Sequence, residues 1–245
     1  VSKRYPILSK AAESVATPEI RNMATLGGNL CQDTRCWYYR YPHHMGGRII
    51  CYRKEKGPCR AVKGDNRYHA IMGAKACFAV CPSDTAIALT ALDAKLEIKG
   101  PRKVRKVSVD EFFTTRGNIL EPEEFLTHIE IPNPAAGARQ EFLKLTLRKP
   151  VDFAVASVAA VVTMKEGTCK DVRIVLGAVA PTPFRAFDSE KLLKGQVAGE
   201  KVVTAAARAA VKDAKPMRLN AYKVEITRTL VKRALLSILH SAQHA

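Results

Sequence analysis

Thr25-Leu26-Gly27-Gly28-Asn29-Leu30-Cys31-Gln32-Asp33-Thr34-Arg35-Cys36 is the stretch from which the rest of the chain is read. The Gly27-Gly28 pair reads as a tight turn between apolar residues, with room for a ligand against bare backbone. Taken alone, the pair is as readily an ordinary turn. From Cys31 to Cys81 the chain is rich in cysteine, basic and aromatic residues and has no aliphatic periodicity. Six of the seven cysteines fall there (Cys31, Cys36, Cys51, Cys59, Cys77 and Cys81), and Cys169 stands alone. So long a loop with so few apolar residues has no core of its own, and something else must order it.

The spacing C-x4-C-x14-C-x7-C-x17-C-x3-C contains no C-x2-C pair, so a structural zinc site is a poor match. Four thiolates drawn from an irregular loop suit an iron–sulfur cluster, although spacing alone does not choose four of the six. Buried apolar thiols would fall at helix or strand periods, which these do not. His43 and His44 are adjacent and cannot both reach one ion; they read as structural or solvent-facing. No apolar signal segment opens the chain, which makes disulfides the weaker reading and the cytoplasm the expected compartment. Its start, Val1-Ser2-Lys3, reads as a cut from something longer.

The 245 residues, 47% of them hydrophobic, suffice for one or two domains with a real core. No apolar run is long enough to span a membrane. The net charge of +17 points to an anionic partner, but the basic stretches carry no nucleic-acid recognition motif. Outward from the cysteine loop, residues 7–16 have helical spacing up to Thr17-Pro18, and 85–92 read as a second helix. Strands are expected at 95–99, after the basic turn 99–106 and at 125–131, with a short helix at 109–113. Residues 132–140 read as a linker and mark the domain boundary. Beyond it three strands (141–147, 154–164 and 172–179) precede helices at 200–212 and 220–240, the last with one apolar stripe. The fold class is α+β in two subdomains.

Thr25-Leu26-Gly27-Gly28-Asn29-Leu30, Pro82-Ser83-Asp84, Ile129-Glu130-Ile131-Pro132 and Phe142-x-Lys144-x3-Arg148-x3-Asp152 together resemble the FAD-binding subunits of molybdenum hydroxylases, the xanthine dehydrogenase family. The cysteine insert between Asn29 and Ser83 is similar, more narrowly, to that of the flavin (β) subunits of 4-hydroxybenzoyl-CoA reductases. The resemblance implies the second half of a PCMH-type FAD-binding fold over 1–132, with a [4Fe–4S] insert at about 31–81. It implies a small three-stranded sheet with helices, like the CO dehydrogenase flavoprotein C-terminal domain, over 138–245. It selects Cys36, Cys51, Cys59 and Cys77 as cluster ligands and leaves Cys31 and Cys81 without a role.

By the same resemblance Thr25, Gly27, Gly28 and Asn29 lie against FAD. Ser83 and Asp84 belong to its adenosine side, Leu126 to the wall beside the adenine, and Lys144 and Asp152 to the neighbourhood of the ring. Asp84 is equally a candidate N-cap of the helix after it, and Lys144, Arg148 and Asp152 a solvated strand face. A cation near the ring would favour the anionic reduced flavin. Trp37, Tyr38, Tyr39 and Tyr41 would shield the cluster. The family's Gly-rich subdomain that holds the FAD pyrophosphate has no counterpart in these residues, so another chain or segment is expected to supply it.

The implied function is electron relay between [4Fe–4S], FAD, [2Fe–2S] clusters on a small subunit and molybdopterin on a large one. The implied reaction is reductive dehydroxylation of a hydroxybenzoyl-CoA; the alternative is hydroxylation of another aromatic or heterocyclic substrate. The lone chain would be inactive. Arg48, Arg53, Lys54, Lys56, Arg60, Lys63 and Arg67 make the loop basic, which suits an acidic ferredoxin or simply a solvated surface. From another class, a metal-stabilised scaffold without flavin fits the same cysteines.

Overall fold

The computed structural model describes residues 1–41, 49–55, 57–149, 151–197 and 199–240. The first helix, α1 (Pro6–Glu13), opens on a proline whose fixed φ suits a first turn, and buries Ile7, Leu8 and Ala11. Two short helices follow, α2 (Pro18–Met23) and α3 (Leu26–Cys31). Here the structure departs from the expected glycine turn. Thr25 Oγ1 accepts the Gly28 N–H at 2.9 Å, and this cap makes Gly27-Gly28 the first turn of α3.

Among the described residues of the cysteine loop only single turns are regular: α4 (Trp37–Arg40), α5 (Tyr52–Glu55) and a 3-10 turn at Arg60–Val62. Next comes α6 (Asp84–Ala91), in which every residue is buried, as expected of a helix packed on all sides. Its N-cap is Ser83, whose Oγ accepts the Ala86 N–H at 3.1 Å; Asp84 is the first helical residue and not the cap.

A three-stranded antiparallel sheet of order β2-β1-β5 is built from β1 (Lys95–Lys99), β2 (Val104–Ser108) and β5 (Phe125–Glu130). Leu96 and Ile98 of the central strand are fully buried between outward-facing Lys95, Glu97 and Lys99, the alternation of a one-sided sheet. Between β2 and β5 lie α7 (Val109–Phe112) and a ribbon of two-residue strands, β3 (Phe113–Thr114) and β4 (Gly117–Asn118).

The second sheet, also antiparallel, runs β6-β7-β8-β9: β6 (Ala138–Leu145), β7 (Ala156–Lys165), β8 (Thr168–Gly177) and β9 (Phe184–Arg185). The two-residue β9 extends the three expected strands. Strand β6 begins inside the stretch read as a linker. Gly137 has φ +74, and a Cβ there would stand 2.8 Å from the Met164 carbonyl oxygen, so glycine lets β6 approach β7 that early.

Helices α8 (Phe187–Leu193), α9 (Glu200–Ala209) and α10 (Tyr222–His240) complete the chain. Both faces of the second sheet are covered. Val158, Ala160, Val162, Ile174 and Leu176 pack with Val203, Ala206, Val231, Ala234 and Leu235 of α9 and α10. Phe142, Ala159 and Val175, one residue out of step, pack with α1 and α6. Strand period alone assigns each face to its helix layer. No described helix is long and apolar enough to cross a membrane.

Candidate functional site

The residues expected to meet FAD gather around the start of α6. Asn29 Oδ1 accepts hydrogen bonds from Ser83 Oγ and Thr85 Oγ1, each at 2.6 Å, and so ties α3 to α6. Thr85 was not expected from the sequence. A Cβ on Gly27 would meet Leu126 Cδ2 at 3.6 Å, so the helix backbone lies on the expected apolar wall. Thr25 and Gly28 are exposed beside Leu26. The surface offers bare backbone and a hydroxyl next to apolar side chains, which suits a ligand that is part apolar and part polar.

Asp84 and Lys144 form a buried ion pair, Nζ to Oδ2 at 2.7 Å, with each side chain 8% exposed. Lys144 Nζ also donates to the Ser14 carbonyl at 2.8 Å. Burial pushes the Asp84 carboxyl above the usual carboxylate range, against the pull of Lys144. The structure therefore offers a balanced pair where the sequence offered a free cation. Asp152 sits apart from them. Its carboxylate accepts from the Arg148 guanidinium, the Arg148 N–H and the Phe153 N–H, which staples its own loop and holds its pKa low.

Burial raises the Cys36 and Cys77 thiols, and neighbouring thiols add a smaller push, Cys59 and Cys77 on Cys36 and Cys59 on Cys77, so the three lie within electrostatic reach of one another. Cys51 is buried just before α5, two residues from Arg53, whose charge favours the Cys77 thiolate. Among the described residues, no three His, Cys, Asp or Glu side chains are placed to hold a single metal ion. A multi-iron cluster sets its four sulfurs wider apart than ligands of one ion, and the thiol donor set suits it. Cys81 is buried with its thiol pushed up to about 12, and Cys31 is half-buried. His43 and His44, with Arg48 and Lys56 of the basic loop, lie outside the described residues.

Four loop-binding residues escaped the sequence reading. Arg53, expected on the surface, turns inward with its side chain 9% exposed, pairs with Asp33 at 2.8 Å and lies over the Tyr39 ring. His69, 3% exposed, places Nε2 3.3 Å from Cys36 Sγ and packs edge-on against Trp37. The Lys223 side chain is wholly buried in α10 and donates to the carbonyls of His69 at 3.1 Å and Ala178 at 2.5 Å. Asn220 donates to the His69 and Ala70 carbonyls as well. Ile71 and Met72 N–H groups both bond the Val179 carbonyl. Residues 66–72 are thus strapped onto the second sheet and its last helix. Lys223 and Thr227 stand on the apolar stripe of α10, and that misplaced polarity was the available signal.

A cavity of about 460 Å3 separates the two groups of residues. Cys36, Trp37 and His69 line it from the loop, Ser83 and Asp84 from α6, and Arg148, Asp152 and Phe153 from the far rim. Arg35 lies over the Phe153 ring at 5.0 Å and joins the loop to that rim.

Two family models match the chain, one after the other. The FAD binding domain in molybdopterin dehydrogenase matches residues 1–134, and the CO dehydrogenase flavoprotein C-terminal domain matches 141–238. The aldehyde oxidoreductase FAD-binding subunit of Escherichia coli (strain K12) is 33% identical over 99% of this chain and 73% of its own length. Among solved structures, quinoline 2-oxidoreductase of Pseudomonas putida 86 has a TM-score of 0.71 at 26% identity, covering 99% of this chain and 70% of that one. Carbon monoxide dehydrogenase of Hydrogenophaga pseudoflava has 0.73 at 27%, covering 98% and 69%.

Proposed function

The chain belongs to the FAD-binding subunits of the molybdopterin dehydrogenase family, and we propose that it is the flavin and iron–sulfur subunit of a molybdenum-hydroxylase-type complex. One observation supports the iron–sulfur part: Cys36, Cys59 and Cys77 lie within electrostatic reach of one another, and His69 Nε2 stands 3.3 Å from Cys36 Sγ. Bound to this chain, FAD and a [4Fe–4S] cluster would accept and pass on electrons, one or two at a time. Partners would be a molybdopterin-binding large subunit and a small subunit with [2Fe–2S] clusters, as family membership supports.

This chain's own residues bind, orient and exclude water. Thr25, Gly27, Gly28 and Asn29 present the backbone and polar atoms of α3 to the cofactor, with Leu126 behind them and Ser83 fixing Asn29. Exposed Ile20, Met23, Leu26 and Phe125 flank that surface in sequence and suit a covering segment on the pyrophosphate side. Lys144 and Asp84, being balanced, place a dipole and no net charge at the cavity wall. Asp152 and Phe153 shape the opposite rim. Trp37 and its neighbours keep solvent from the thiols. Exposed Arg60 and Lys63 suit an acidic redox protein such as a ferredoxin as electron partner.

The substrate would react on the large subunit. Oxidation of an aldehyde or an aromatic heterocycle is the reading that the aldehyde and quinoline oxidoreductase relatives support. Reductive dehydroxylation of a hydroxybenzoyl-CoA is the second, resting on the cysteine insert. The test is the visible spectrum of the anaerobically purified complex, with iron, sulfide and zinc analysis. A flavin band and about four iron and four sulfide beyond those of the small subunit are expected. Zinc without iron or flavin would leave a structural metal module instead. Bleaching of the oxidised flavin by added aldehyde supports the first; return of the flavin band in the dithionite-reduced complex on adding 4-hydroxybenzoyl-CoA supports the second.

A further inference from the structure

Two buried groups near the thiols have nitrogen atoms without partners. Arg53 Nη1 is bound to Asp33 and Nη2 to the Thr115 carbonyl, but Nε is buried and makes no hydrogen bond. Burial raises the Cys77 and Cys81 thiols, and the Arg53 charge pulls the other way on both. His69 presents Nε2 to Cys36 Sγ at 3.3 Å, while Nδ1 is buried and unpartnered. A sulfur that is a thiolate accepts only, so the Nε2 position must carry the hydrogen and Nδ1 is left as a bare lone pair.

The placement of His69 is not accidental to its own turn. Its carbonyl receives Lys223 Nζ and Asn220 Nδ2, its N–H bonds the Asn66 carbonyl, and Asn66 Oδ1 in turn receives the Leu219 N–H at 2.9 Å. The ring is therefore aimed at Cys36 by the C-terminal helix, more than 150 residues away. Beside uncharged thiols the unpartnered Arg53 Nε–H and the aimed His69 N–H gain little. Beside thiolates that hold iron, both would be satisfied.

We propose that Arg53 and His69 are positioning residues that raise the reduction potential of the thiolate-held centre. The inference rests on the iron–sulfur reading above. Reduction adds one electron, and so one negative charge, to a site that four thiolates already make anionic; no bond is broken. The Arg53 cation beside Cys77 and the His69 N–H on Cys36 favour the more negative form, because hydrogen bonds and charge at the sulfurs set such potentials.

The experiment is an EPR-monitored dithionite titration of the anaerobically purified complex, with iron and sulfide measured on each sample. Arg53→Gln and His69→Phe are expected to shift the reduction equilibrium about tenfold towards the oxidised form, a fall of about 59 mV for a one-electron couple. Arg53→Lys keeps the charge, and His69→Gln keeps a donor; both should fall less. Asp33→Asn loosens the Arg53 anchor but removes a negative charge, so its potential should stay or rise. A fall in Asp33→Asn equal to that of Arg53→Gln would reduce Arg53 to an anchor and overturn the proposal. Full iron and sulfide with unchanged potentials in Arg53→Gln and His69→Phe overturns it while leaving the cluster reading intact. Wild type without iron and sulfide removes the reading and the inference together. Should Arg53→Gln lose its iron, the two His69 variants decide.

Discussion

The second sheet and the cysteine loop lie against each other and are ordered by opposite means. Strands β6, β7 and β8 bury apolar side chains on both faces, against α9 and α10 on one side and α1 and α6 on the other. The loop from Cys31 to Cys81 contributes few residues to either core. It is held by individually placed polar groups, almost all reaching backbone carbonyls: Lys223 and Asn220 on His69, Tyr222 on Arg67, Arg40 on Thr34. A buried side chain is worth about 1.5–3 kcal/mol through its area alone, whereas a net hydrogen bond contributes about 0.5–1.5. The sheet is thus stable by sum. The loop is specified by geometry, with little free energy to spare, which leaves a role for a ligand that binds its thiols.

The contrast can be broken first on the sheet side, at the buried ion pair that ties β6 to α6. Lys144→Met leaves Asp84 buried without its cation, and should destabilise the protein by about 3–5 kcal/mol in denaturant unfolding. Adding Asp84→Asn should restore much of that loss. Ile174→Ala, in the apolar face beneath α9 and α10, should cost about 2–5 kcal/mol and lower the melting temperature of the whole chain.

Lys223→Met should act differently. It strips hydrogen bonds from the His69 and Ala178 carbonyls, for about 1–3 kcal/mol, and should raise hydrogen exchange at 66–72 before it affects β7. It should also change the response to pH. Burial lowers the Lys223 amine from its ordinary 10.5 to about 7. Across that window the unfolded chain holds a proton that the folded chain has released, so wild-type stability gains with rising pH, and the methionine variant lacks this gain. Melting curves from about pH 7 upward check the sign. The smallest effect belongs to the exposed Lys106–Glu130 pair of the first sheet, where Lys106→Ala should leave the melting temperature essentially unchanged.

What was legible in the sequence follows the same contrast. Strands β1, β2, β5 and β7 and helices α6, α9 and α10 came out of apolar periodicity, because burial on a face repeats with the element's own period. The Gly27-Gly28 segment was misread as a turn: its helix depends on one hydroxyl, that of Thr25, and a six-residue helix has too few turns to show a period. The start of β6 was hidden in a Pro-Gly-rich stretch. In the candidate site, the motif residues Asn29, Ser83, Asp84, Leu126 and Lys144 do meet at one place. Asp152 stands across the cavity, and Arg53, His69, Asn220 and Lys223 stayed invisible. Their partners are carbonyls and sulfurs distant in sequence, and such contacts leave no local pattern. Only Lys223 left a trace, as a cation on the buried stripe of α10.

The proposed cluster would complete the order of the cysteine loop. The most direct measurement is amide hydrogen exchange on the complex before and after iron is removed by chelation. Exchange should accelerate strongly at residues 33–40 and 49–60 on iron removal, while strands β6–β8 stay protected and the strap at 66–72, held by Lys223 and Asn220, changes little. Equal exchange at 33–40 and 49–60 with and without iron would contradict the claim and leave the loop ordered by its polar contacts alone.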